Sequence, residues 1–155
     1  MVTVNVKVDV NNLPNFEEKT EQIQTRSLNL ITQYLIRRLA KNSPVDQRYL
    51  RQWSANEEGN ISKITTPAEY ARYVNDGTGI YGGSGIIRGR NGKGLSFRPN
   101  KKWTGKVQTK GKYKGFVYIP YSKGQKGQHF VETSIKETRE KVEGLVVKAT
   151  REAFR

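Results

Sequence analysis

Between Gly77 and Val131 the chain has no aspartate or glutamate. The same stretch carries twelve cations: Arg88, Arg90, Lys93, Arg98, Lys101, Lys102, Lys106, Lys110, Lys112, Lys114, Lys123 and Lys126. It also holds thirteen of the fifteen glycines. The whole protein has 28 Lys and Arg against 14 Asp and Glu, a formal charge of +14, so twelve of those units sit in about a third of the chain. Unpaired cations resist removal from water, and glycine gives little apolar surface to bury. Such a segment is a solvated arm or a surface built to meet something negative. The rest of the chain has to carry it.

At 155 residues the chain is long enough for one domain with a modest core. Its hydrophobic share of 34% is low for a globular domain, which predicts loops or segments that order against a partner. The absence of cysteine removes disulfides, thiolate catalysis and cysteine zinc sites. With one histidine, His129, a histidine-rich metal site or histidine-based triad is hard to assemble. The amino terminus alternates polar residues and does not read as a signal peptide. No apolar run approaches the ~20 residues that span a bilayer. The expectation is a soluble protein assembled in the cytoplasm, without membrane contact.

Val2, Val4, Val6, Val8 and Val10 alternate with polar residues and predict a strand with one buried face. Asn15 and Glu18 form a capping pattern, after which Phe16, Ile23, Leu30, Ile31, Tyr34, Leu35 and Leu39 keep helical spacing to about Lys41. Pro44 ends it, and Asp46 could cap a short helix carrying Tyr49, Leu50 and Trp53. Ala55 to Asn60 reads as polar loop, and Ile61 to Thr66 as a strand. Ala68 to Val74 fits a short helix or a strand, with Tyr70, Tyr73 and Val74 assigned to the core. Gly94 to Phe97 and Phe116 to Tyr121 predict two strands joined by the basic loop Arg98 to Gly115, an exposed tip. Phe130, Val131, Ile135, Val142, Leu145, Val146, Ala149 and Ala153 define one carboxyl-terminal helix, weakened at Gly144. The expected fold is α+β: a small antiparallel sheet packed against a long N-terminal helix and a C-terminal helix, with a long basic loop or hairpin. It forms a single domain over residues 1–155, with Gly/Lys-rich extended loops over 81–115.

Gly77, Gly79 and Gly82 match the dinucleotide-binding G-x-G-x-x-G spacing, but the context is wrong. That loop must open a helix and be followed about 20 residues on by an acid. Here Gly83-Ser84-Gly85 follows and the next acid is Glu132, which favours a turn. Glu57, Glu58 and Asp76 are the mid-chain carboxylates and read as solvated. No catalytic constellation, metal set or cofactor site is expected. The lysines interleaved with Trp103, Tyr113, Tyr118 and Tyr121 are of the type that meets phosphate and stacks on bases, or that docks on an acidic protein surface. Candidate contact residues are Arg88, Arg90, Lys101, Lys102, Trp103, Lys106, Lys110, Lys112 and Lys114, with Trp103 the apolar anchor.

Three phrases then occur in order. Ser43 to Trp53, containing Pro44-Val45-Asp46 and Leu50-Arg51, resembles Pro-Val-Asp-Thr-Gly-x-Leu-Arg-x-Ser. Ala68 to Gly79, containing Tyr70-Ala71-Arg72-Tyr73-Val74-Asn75-Asp76-Gly77-Thr78, resembles Tyr-Ala-x-Tyr-Val-Glu-x-Gly-Thr. Lys126 to Val131 resembles Lys-Pro-Gln-Pro-Phe-Leu ahead of a last helix. Together, over residues 15–154, they resemble the tail-completion or head–tail-joining proteins of long-tailed bacteriophages, the gene-product-ten-like minor tail component family. Gln47 and Arg48 depart from that pattern, as do Asn75 in place of an acid and Gly127 and His129 in place of prolines. The resemblance implies a non-enzymatic α+β virion subunit without cofactor. It would form a homo-oligomeric ring, a hexamer, between the head connector or stopper protein and the tail tube, with DNA passing through the channel. A sequence-independent nucleic-acid binder and a small basic ribonuclease are the alternatives.

Overall fold

The computed structural model describes residues 2–8, 17–44, 49–90, 94–99, 104–112 and 114–154. Valine at every second position makes Thr3–Lys7 a strand, β1, in which Val4 and Val6 are half-buried and their neighbours exposed. The helix predicted from the long apolar stripe is α1, Glu17–Asn42, which buries Ile23, Leu28, Ile31, Leu35 and Leu39. Phe16 and the Asn15 cap lie outside the described residues, as does Asp46. Of the short helix expected after it, the described residues form a turn at 49–51, where the Gln52 N–H donates to Tyr49 O (3.1 Å). Leu50 and Trp53 are buried, whereas Tyr49 faces solvent.

The polar run expected to be loop is instead a strand, β2, Ser54–Glu58, paired antiparallel with β3, Ile61–Thr65, through the two-residue turn Gly59-Asn60. All five β2 residues are exposed, so no apolar alternation marks the strand in the sequence. Its extended state comes from the ladder with β3, whose Ser62 and Ile64 are buried. β3 also pairs antiparallel with β1, from Thr3↔Thr65 to Lys7↔Ile61, giving the order β1-β3-β2.

Ala68 to Val74 resolves toward helix: α2 is Ala71–Asp76, with Ala71 and Asn75 buried. Tyr70 and Val74 are half-buried against the core, but Tyr73 is 62% exposed and is not a core residue. The single carboxyl-terminal helix is in fact two, α3 (Phe130–Arg139) and α4 (Val142–Ala153). The break falls at Glu140-Lys141, and Gly144 lies inside α4. Just upstream, the buried Ser134 and Thr138 hydroxyls donate to carbonyls four residues back (2.7 and 2.8 Å), an arrangement that loosens and bends helices.

The chain forms two compact units. The first comprises Met1–Asn75 and His129–Arg155, and α3 and α4 both pack along α1 there. Its main core joins Leu35, Leu39, Leu50, Trp53, Ile64, Ala68, Ala71, Phe130 and Val131, and a second cluster centres on Val8, Leu28 and Ile31. Arg26 pairs with Glu152 (2.6 Å) and Arg38 with Glu137 (3.5 Å), tying α1 to both carboxyl-terminal helices. The Tyr34 hydroxyl accepts from Arg38 Nε and Nη2 (3.0 and 2.7 Å) and raises the pKa of that guanidinium above its ordinary value. The second unit, Asp76–Gln128, contains the strands β4, Leu95–Phe97, and β5, Val117–Ile119, paired antiparallel. No helix among the described residues is long and apolar enough to cross a membrane.

Candidate docking surface

The second unit holds twelve cations against one acid, Asp76, a net of +11, and the first holds sixteen against thirteen, a net of +3. With no carboxylate at 77–128, the basic unit has almost nothing of its own with which to neutralise its cations. Its backbone is held by close main-chain packing. Thr78 N donates to Gln125 O and Ile80 N to Lys123 O, both at 2.9 Å, while Ile87 and Ser122 exchange a reciprocal pair, also at 2.9 Å. Gly124 has φ 90, and a Cβ there would collide with the Thr78 carbonyl, so only glycine fits. The G-x-G-x-x-G run is therefore a turn packed against the returning chain, as its context suggested.

Arg88, Arg90, Lys106, Lys110, Lys112 and Lys114 all lie in this unit and are exposed. Lys101, Lys102 and Trp103 lie outside the described residues. Lys110, Lys112 and Lys114 are brought onto one tight tip. There Gln108 N donates to Phe116 O and Gly115 N to Gln108 O (both 2.9 Å), and Lys114 N donates to Gly111 O (3.1 Å). Arg88 and Arg90 sit on a separate segment beyond the Ile87–Ser122 bridge.

The contact residues read from the sequence omit one arrangement. The β4–β5 hairpin has two unlike faces. Leu95, Phe97, Val117 and Ile119 form the face turned from solvent, with Val117 buried. Ser96 and Tyr118 are cross-strand partners on the other face and are both exposed. One step along, the Arg98 guanidinium lies over the Phe116 ring, 5.1 Å from its centroid. The Tyr118 hydroxyl accepts from Gly94 N (3.0 Å), and a Cβ on Gly94 would come 2.5 Å from the Tyr118 ring. That ring is thus laid down on the backbone and pinned, yet remains 55% exposed. The parity of Ser96 and Arg98 against Phe116 and Tyr118 was the available signal. Elsewhere in the unit Ile80, Tyr81, Ile86 and Tyr121 are each nearly half exposed, and Lys126 lies 5.9 Å from the Tyr81 ring centroid.

The parts of the three phrases that lie in the first unit, residues 49–53, 68–75 and 129–131 together with Ser43, fall around one place in it. Trp53 Nε1 donates to Ser43 Oγ (3.4 Å), and its ring meets Phe130 edge-on at 6.4 Å. Asn75 reaches the start of α3: Oδ1 accepts from Val131 N (2.9 Å), Nδ2 donates to both Glu132 oxygens (3.0 Å each), and Asn75 O accepts from His129 N (3.1 Å). His129, the residue before α3, makes no side-chain cap, so a residue 56 positions earlier caps this helix. His129 has φ 49, a value closed to proline, so the second proline of the phrase has no equivalent backbone here. Among the described residues no three His, Asp or Glu side chains are placed to hold a metal ion. No protein-family model, curated protein or solved structure matches the chain.

Proposed function

We propose that this chain is a structural subunit of a long-tailed bacteriophage particle. In this reading it assembles as a homo-oligomeric ring of six at the head–tail junction, joins the connector to the tail tube, and lines or seals the DNA channel. The observation that carries the proposal is the meeting of all three phrases around Trp53, Phe130 and Asn75. The phrases meet where α3 begins and where the basic unit leaves and rejoins the chain, and the two residues that fix those points, Asn75 and His129, are departures from the pattern. A second support is the division of charge. A body of net +3 with its own core carries a unit of net +11 whose cations, among the described residues, face solvent together with Tyr81, Tyr118 and Tyr121, as a docking piece requires.

The test combines molar mass in solution, alone and mixed with connector and tail-tube proteins, with imaging of the particle neck. The expected result is a ring on mixing and density for the chain at the neck. A chain that stays monomeric with every neck and tail partner, and is missing from mature particles, refutes the proposal.

A further inference from the structure

We infer that the outer face of the β4–β5 hairpin is a binding surface for single-stranded nucleic acid, with Tyr118 as the stacking ring and Arg98 as its cationic neighbour. The inference stands apart from the assignment to a phage neck and would hold for a free protein as well.

A ring that stacks on a base has to be flat, exposed and already fixed, because ordering a loose side chain costs entropy on binding. Tyr118 meets these conditions: its hydroxyl is held by Gly94 N, the missing side chain at Gly94 leaves room for the ring, and over half the residue is open to solvent.

Beside it, Arg98 lies over Phe116, presenting a guanidinium on a ring two residues along the strand from Tyr118. Two residues of strand span about 6.7 Å, so two adjacent unstacked bases could be taken by the pair, one on the ring and one on the guanidinium plane. Phosphates following the bases would meet the tip carrying Lys110, Lys112 and Lys114, which immediately precedes β5 in the chain. Acids are absent from 77–128, so no carboxylate of this segment would repel the backbone of the bound strand.

The partner is specified by the rings. In a duplex the base faces are covered by their neighbours, so cations alone would bind and Tyr118 would contribute nothing. An acidic protein would be served by the lysines but would not need an upward-facing ring held at one angle.

The experiment uses the full chain and a fluorescently labelled 20-mer of deoxythymidine, followed by anisotropy at low and moderate salt. A blunt 20-base-pair duplex and polyglutamate serve as competitors. The expected result is preferential binding of the single strand, weakened by salt. Tyr118→Ala should lower affinity about 5- to 150-fold, while Tyr118→Phe, which keeps the ring but loses the hydroxyl that Gly94 N holds, should lower it less than Tyr118→Ala does, by about 2- to 12-fold. Circular dichroism and urea unfolding establish that both variants are folded. Arg98→Gln provides a second variant acting on the same face and should also weaken the single strand. The inference is overturned by no binding, by duplex or polyglutamate competing as well as the single strand, or by folded Tyr118→Ala binding like the parent.

Discussion

Replacing Asn75 by aspartate tests the long-range cap of α3 with little change in shape. Oδ1 would still accept from Val131 N at 2.9 Å, so the cap itself survives. The other terminal atom now sits 3.0 Å from both Glu132 carboxylate oxygens, where an amide had donated to them. Two like charges that close repel by about 1.4 kcal/mol in bulk water and about 5.5 kcal/mol at an effective dielectric of 20. Asn75 is buried and Glu132 exposed, so the expected loss of stability at neutral pH lies between those limits, about 2–4 kcal/mol. Repulsion raises the pKa of the introduced carboxyl in the folded variant, so the penalty is present above that value and fades as pH falls through it. Adding Glu132→Gln removes the second charge and should recover most of the loss. Urea unfolding, followed by Trp53 fluorescence in a Trp103→Phe background, measures the parent and both variants. The reasoning fails if Asn75→Asp is within about 0.5 kcal/mol of the parent at pH 7, or if the double variant is no more stable than the single one.

The other expectations concern the backbone and the basic tip. His129→Pro should cost about 3 kcal/mol or more, since φ 49 is closed to proline and the N–H that donates to Asn75 O is lost, and urea unfolding measures it. His129→Gly, which accepts that φ, should stay within about 1 kcal/mol of the parent in the same measurement. Gly124→Ala should destabilise the basic unit by at least about 1–2 kcal/mol, because its Cβ collides with the Thr78 carbonyl. Faster proteolysis within 76–128, with Trp53 unfolding unchanged, is the expected readout. Reversing Lys110 and Lys112 to glutamate should leave unfolding within about 0.5 kcal/mol of the parent, since both are exposed, while impairing joining in a particle-assembly assay. Unfolding of that variant would show the two lysines to be structural.

What the sequence reveals follows the physics of burial. β1 and α1 are legible because Val4 and Val6, and Ile23, Ile31, Leu35 and Leu39, repeat with the period of the element that buries them. β2 buries nothing, so hydropathy is silent there, although the Gly59-Asn60 dipeptide between two short runs is a hairpin signal. The break between α3 and α4 is hidden for the opposite reason. Thr138, Val142, Leu145, Val146 and Ala149 continue the stripe begun by Phe130 and Ser134 without a change of phase. Tyr73 looks like core by residue type, but α2 turns Ala71 and Asn75 inward instead. In the basic unit the lysines are evident from charge alone, whereas the pinning of Tyr118 depends on Gly94, twenty-four residues away in the sequence.

The hydrogen bond from His129 N to Asn75 O brings together the departure and return points of the inserted segment. Because the first unit itself sets that gap, residues can be added or removed between the two points without shifting the register of its helices. Lineages of such a chain are then free to lengthen, shorten or recharge the insert to suit a new contact surface while inheriting the same body.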